Sequence, residues 1–231
     1  MLPKLKQIIE GDQYFTMLAI GSSNTQRFQA GMHWFDYVEL GFKIKCKWHS
    51  FINSGVSGNT STELLERFDR NLACYKPDVV IVTVGGNDSS IEKNVSPELF
   101  KNNLIELYEK ITKLGGIVIF QTYYACDYER MEEDKIGSGD RMLQYMQIIR
   151  DTANELNCDL LDHYSRWEKL RVQDVDLYRI LMRDSMHVNA FGNMVLGLDL
   201  ARFFGIKWRE EDKQAFEKGL LMTSFLDKIS D

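Results

Sequence analysis

Apolar residues in this chain fall into two kinds of run. Short, nearly unbroken blocks at about 14 to 20, at Val79–Val84 and at Ile117–Tyr123 have the length of strands buried on both faces, and Val79–Val84 is β-branched almost throughout. Longer stretches carry apolar side chains three or four apart and predict helices. Phe28, Met32, Trp34, Phe35, Tyr37, Val38 and Leu40 form one such face, ended by Gly41. Leu64, Leu65, Phe68 and Leu72 form another over about 62 to 75, with Thr60 or Ser61 as its cap. Ser96-Pro97-Glu98 opens a third that runs to about Leu114, and two more cover about 141 to 156 and 190 to 204. Lys43–Trp48 alternates and, continued through Ser50–Asn53, predicts an edge strand whose lysines stay wet; Cys158–Leu161 is a short fifth strand. Residues 1 to 13 read as a short helix or arm, and Tyr124–Asp140, acidic and aperiodic, as a surface loop and candidate lid near the crevice. From Trp208 the chain is charged and amphipathic, with Phe216, Leu220, Leu221 and Phe225 on one side.

Strand and helix alternate five times with single helices between, which implies an α/β fold: a three-layer α/β/α sandwich around a five-stranded parallel sheet. At 231 residues the chain suits one domain over 1–206, with 207–231 as a helical extension of it. A net charge of −6 without a basic stripe argues against a general nucleic-acid binder. The start lacks a signal-peptide core and no later run is long enough to span a bilayer, so the expected compartment is the cytoplasm. The four cysteines, Cys46, Cys74, Cys126 and Cys158, are scattered without metal spacing and read as free thiols. No metal or cofactor is expected. A homo-oligomer is compatible with everything above.

Candidate chemistry sits where the apolar blocks end. Gly21-Ser22-Ser23-Asn24, Gly58-Asn59-Thr60 and Gly85-Gly86-Asn87-Asp88 each follow one of the first three strands, on the edge where open α/β sheets bind ligands. Asp184 and His187, three apart before the last of the helices at 190 to 204, are sent to that same edge. A serine hydroxyl is a weak nucleophile unless an imidazole takes its proton, and the imidazole needs a carboxylate on its other nitrogen; Ser23, His187 and Asp184 supply the three. The side-chain amide of Asn87 and the N–H groups of Gly58 and Ser23 are suited to hold a developing oxyanion, and a Cβ at Gly58 is expected to block that approach. His33, Trp34, Tyr123 and Tyr124 are candidates to line the substrate. Taken singly, each block has a plain structural reading, as a turn or a helix cap.

Taken together, in this order and at these separations, the four blocks resemble those of the SGNH, or GDSL-type, hydrolases over about residues 14 to 204. The resemblance implies the flavodoxin-like SGNH fold, a metal-free esterase, lipase, thioesterase or carbohydrate deacetylase, and a small ester substrate. It makes Ser23 the nucleophile, His187 the base, Asp184 its orienting acid, and Gly58 and Asn87 oxyanion donors. The chain departs from the family at Ser22, where aspartate is usual, and at Val188, where proline often follows the histidine. Two other readings fit parts of the pattern: an FMN-binding flavodoxin-like protein, which leaves Asp184 and His187 without a role, and a catalytically silent module of the same fold.

Overall fold

A computed structural model describes residues 1–27, 31–45, 48–133, 139–206 and 222. Its centre is a five-stranded sheet, β1 (Phe15–Gly21), β2 (His49–Gly55), β3 (Val79–Thr83), β4 (Ile117–Gln121) and β5 (Asp159–Leu161), all pairs parallel, in the order β2-β1-β3-β4-β5. The chain leaves β1 first toward β2 and then crosses back to β3, so the winding direction reverses between β1 and β3. That reversal opens a crevice at the carboxyl ends of the two strands.

The described residues also hold ten α-helices, α1 (Pro3–Glu10), α2 (Trp34–Lys45), α3 (Ser61–Glu66), α4 (Phe68–Asn71), α5 (Pro97–Lys113), α6 (Tyr128–Glu133), α7 (Gly139–Glu155), α8 (His163–Gln173), α9 (Val175–Arg179) and α10 (Ala190–Phe203), and two single 3-10 turns, Ala73–Tyr75 and Ile91–Lys93. Right-handed crossovers in opposite directions from β1 set α2, packed on α10, on one face and the neighbouring α3, α5 and α7 on the other. Every residue of β3 and β4 is buried, as their apolar runs require, and β2 is the half-exposed edge.

Four expectations need correction. The helix expected to end at Gly41 starts at Trp34 and continues to Lys45, so the alternation at Lys43–Lys45 belongs to a helix end and the edge strand begins only at His49. Phe28, Cys46 and Lys47 lie outside the described residues. The helix over 62 to 75 is broken at Arg67, whose φ of −100° and ψ of 10° leave the helical region as its side chain turns inward. Tyr124–Asp127 is core, not surface loop, with each of the four residues at most 3% exposed, and α6 follows it. The stretch between β5 and Asp184, unassigned in sequence, holds α8 and α9. Residues 134–138 of the lid candidate, and the C-terminal amphipathic stretch apart from Met222, fall outside the described residues.

Candidate active site

Ser23 stands two residues beyond β1, at a turn closed by the N–H groups of Thr25 and Gln26, both of which donate to the Ser22 carbonyl at 3.0 Å. Gly21 permits that turn: a Cβ there would lie 2.3 Å from both the Thr83 carbonyl of β3 and the Thr25 hydroxyl. The turn exposes Ser23 in part and buries Ser22, whose hydroxyl pairs with that of Tyr123 at 2.6 Å. Where the family carries an aspartate, this chain therefore holds a neutral hydroxyl pair, and burial pushes the Tyr123 phenol further from ionising.

The Ser23 hydroxyl lies 2.9 Å from His187 Nε2. The other ring nitrogen, Nδ1, sits 2.9 and 3.0 Å from the two carboxylate oxygens of Asp184. A carboxylate only accepts, so Nδ1 carries the proton and Nε2 is left as acceptor for the serine hydroxyl. Asp184 is fixed in turn by the N–H groups of Met186 and His187, at 2.9 and 2.8 Å, and by a fork from Arg183 at 3.0 and 2.7 Å. Burial alone would raise the Asp184 carboxyl, but the Met186 N–H, the Arg183 guanidinium and His187 together hold it below the usual range. The Asp184–His187 pair is not the cap of α10; that role belongs to Asn189, whose side chain accepts from Gly192 N at 3.0 Å.

Gly58 and Asn87 face the same cleft, of about 310 Å³, together with Ser23, Asn24, Ser57, Gly86, Tyr123, Asp184, Met186 and His187. No protein atom lies within 4 Å of the position a Gly58 Cβ would take, so that space is open, and the φ of +79° independently disfavours a side chain. Asn87 donates one amide hydrogen to the Asn59 carbonyl at 2.9 Å, which orients the amide and leaves its second hydrogen for another acceptor. Asp88 anchors the loop from below, accepting from Ser61 N, Ser61 Oγ and Gly85 N at 2.8, 2.6 and 3.1 Å.

Of the four expected lining residues, only Tyr123 borders the cleft. His33 Nε2 and Trp34 Nε1 both donate to the Asn24 carbonyl, at 3.1 and 2.7 Å, and so support the Ser23 loop from behind. Tyr124 is buried, its hydroxyl 2.7 Å from Asn24 Oδ1. Sequence reasoning missed Arg67, which is 4% exposed and reaches the Asn59 side chain, the Ser54 hydroxyl and the Gly21 carbonyl at 2.7, 3.0 and 3.0 Å. It thereby joins the ends of β1 and β2 to the Gly58 loop. Its position at the break between two apolar helical turns was the available signal.

A partly exposed serine bonded to an imidazole that a carboxylate holds, at the switch point of a parallel sheet, is the arrangement of ester-cleaving serine hydrolases. The chain belongs to the GDSL-like lipase/acylhydrolase family, whose model matches residues 19–195. It is similar to an acetylxylan esterase of Geobacillus stearothermophilus, 27% identical over 182 residues that cover 74% of this chain and 76% of the relative. It is also 25% identical to the uncharacterized lipoprotein YqeF of Bacillus subtilis over 183 residues, 68% of this chain and 74% of that one. Among solved structures, that of the Geobacillus stearothermophilus acetylxylan esterase Axe2 superposes with a TM-score of 0.70 at 24% identity, covering 85% of this chain and 97% of Axe2. The likeness fixes the fold. No helix among the described residues is long and apolar enough to cross a membrane.

Proposed function

We propose that this chain removes acetyl groups from a carbohydrate through an acetyl-enzyme on Ser23. The carrying observation is the 2.9 Å contact between Ser23 Oγ and the Nε2 of an imidazole whose Nδ1 proton is held by Asp184. As Ser23 Oγ attacks the ester carbonyl carbon, its proton passes to Nε2, and Asp184 stabilises the resulting imidazolium. The negative charge that forms on the carbonyl oxygen is met by the N–H groups of Ser23 and Gly58 and the free amide hydrogen of Asn87. Collapse breaks the carbon–oxygen bond to the sugar, whose alkoxide leaves with the proton from Nε2. Water then attacks the acetyl-enzyme with His187 again as base, releasing acetate and restoring the serine.

The choice of an acetyl group on a polar carrier rests on the cleft. Its volume of about 310 Å³ is small, and beside Ser23, Asp184 and His187 it is lined by Asn24, Ser57, Gly58, Gly86, Asn87, Tyr123 and Met186. A long acyl chain gains binding energy in proportion to the area it buries, and a cleft of this volume encloses little of one. The acetylxylan esterase among the relatives supports the same choice. The test is a panel of p-nitrophenyl esters of rising chain length, with acetylated xylo-oligosaccharides beside it. Rates are expected to fall steeply beyond short acyl groups, with acetate released from the sugars; a rate that climbs with chain length would make the enzyme a lipase.

The flavin-binding reading, in which the Ser22-Ser23-Asn24-Thr25 loop would hold a phosphate, loses support, since in that loop the Ser22 hydroxyl is paired with Tyr123 and that of Ser23 with His187. We place the enzyme in the cytoplasm, because Cys74, Cys126 and Cys158 are all free thiols, as a reducing compartment keeps them. Fractionation of cells expressing the native gene tests this, and recovery with the envelope would overturn it.

A further inference from the structure

Tyr124 was expected to touch substrate, yet it is 3% exposed and its ring packs 5.3 Å from that of Trp167. Its hydroxyl is used entirely inside the protein. It accepts from the N–H of Val188 at 2.9 Å, and its own proton has two acceptors, Asn24 Oδ1 at 2.7 Å and the Met186 carbonyl at 2.9 Å. Asn24 follows Ser23 in the chain, and Met186 and Val188 flank His187. One oxygen therefore touches the neighbours of both reacting side chains, although the two loops lie more than 160 residues apart, as the separation of 164 between Ser23 and His187 records.

The rest of the segment backs the same loop. Asp127 donates its N–H to the Ser185 carbonyl at 3.0 Å, and its carboxylate is gripped by Arg179 at 2.7 and 3.2 Å. A stretch anchored this way is a wall, not a lid.

We propose that Tyr124 is a positioning residue that sets the distance between the Ser23 hydroxyl and the His187 ring, a role that rests on the hydrolytic reading above. Phenylalanine at 124 keeps the ring and its packing on Trp167, but strands the Val188 N–H and frees the two loops to drift. Proton transfer from serine to imidazole needs hydrogen-bond reach, and a displacement of about 1 Å costs on the order of 10²-fold in rate. Because Tyr124 does not line the cleft, substrate affinity stays as it was.

The test compares Tyr124→Phe with Tyr145→Phe, which removes another buried hydroxyl, bonded to the Val95 carbonyl, away from the cleft-lining residues. Four measurements are made on each: kcat and KM for p-nitrophenyl acetate, the rate of labelling by a fluorophosphonate probe, and Tm. For Tyr124→Phe the expected result is a loss in kcat of about 10- to 10²-fold with KM within about twofold, and a parallel fall in labelling rate. Tyr145→Phe is expected to lower Tm and leave kcat unchanged. Should Tyr124→Phe fail to fold, Asn24→Ala removes an acceptor from the opposite end and is expected to reproduce the loss in kcat. Wild-type kcat and labelling in Tyr124→Phe would overturn the proposal, as would an equal kcat loss in Tyr145→Phe, or a rise in KM alone. A wild-type protein that the probe does not label sinks the hydrolytic reading itself, a separate failure.

Discussion

Two buried histidines make the fold acid-sensitive in a window that can be calculated. His163, at the start of α8, is 4% exposed, its Nε2 has no partner among the described residues, and burial lowers its pKa to about 4. Asp162 favours its charged form and Arg166 opposes it. Asp199 stands 4.0 Å from Nδ1, but Arg166 already binds that carboxylate at 3.0 Å. His33 is likewise lowered to about 4, by burial, against the Asn24 carbonyl and Asp36, with Arg27 adding to the lowering. Its tautomer is legible: Nε2 donates to the Asn24 carbonyl at 3.1 Å and Nδ1 accepts the Phe35 N–H at 3.3 Å, so a second proton on Nδ1 breaks a bond.

The unfolded chain takes up these protons first, near pH 6.5, so stability falls as pH drops through 6.5 and the loss stops growing below about 4. From pH 7.5 to 5.0 each histidine removes about 2 kcal/mol, or about 4 kcal/mol together, against a total of about 5–15 kcal/mol for a domain. Carboxylates held low, Asp162 at about 2 with Asp127 and Asp184 also lowered, are lost only below this window. Asp88, pushed up by burial despite the bonds from Ser61 and Gly85, acts in the opposite sense but equally in wild type and variant. The assay is urea unfolding followed by tryptophan fluorescence at pH 7.5 and 5.0, on wild type and His163→Phe. Whatever the substitution costs at pH 7.5, it is expected to make the acid-induced loss smaller than in wild type by about 2 kcal/mol. An identical loss in both proteins would mean that His163 is already protonated in the fold and paired with Asp199, and the reasoning from burial would be wrong.

Ser23→Ala is expected to abolish turnover of p-nitrophenyl acetate and labelling by a fluorophosphonate; retained activity removes Ser23 from the mechanism. Asn87→Ala should lower kcat by about 10²- to 10³-fold, measured under saturating substrate, as the loss of one oxyanion donor does. In Asp184→Asn an amide replaces the acceptor for Nδ1–H, the tautomer reverses, and kcat is expected to drop about 10⁴-fold without a matching fall in Tm. Ser22→Ala removes the side-chain partner of the buried Tyr123 hydroxyl, leaving it only the Gly86 backbone, and should cost about 1–3 kcal/mol in urea unfolding while labelling of Ser23 persists. Loss of labelling there would assign Ser22 a part in the chemistry.

What the sequence made legible was the sheet and the loops at its carboxyl edge. Val79–Val84 can be little other than a buried strand, and a glycine followed by hydroxyl and amide side chains, three times over, marks the crevice side of a parallel sheet. The Asp184–His187 spacing then found its geometry, with Nδ1 on the carboxylate and Nε2 on the serine. Lys43-Ile44-Lys45 fits an alternating strand and the last turn of a helix equally well, and the longer helix that starts at Trp34 decided it. Local periodicity is silent where tertiary contacts choose the outcome.

The misreading of Tyr124–Asp127 has a more specific cause. The segment is rich in polar atoms, which in isolation argues for solvent, because burying an unpaired polar group costs on the order of 1–3 kcal/mol. Several of those atoms have partners far away in sequence: Tyr124 with Asn24 and Val188, Asp127 with Arg179 and Ser185, and the Ala125 carbonyl with the Tyr178 hydroxyl. Arg67 repeats the pattern on the other flank, a buried guanidinium bonded to a side-chain carbonyl, a hydroxyl and a backbone carbonyl, with burial lowering its pKa to about 10. In both cases the buried polar group joins loops that meet around the cleft at Ser23. Site-forming residues in this chain are readable from local sequence because their chemistry is local, whereas the residues that hold them together declare themselves only once the partners are adjacent in space.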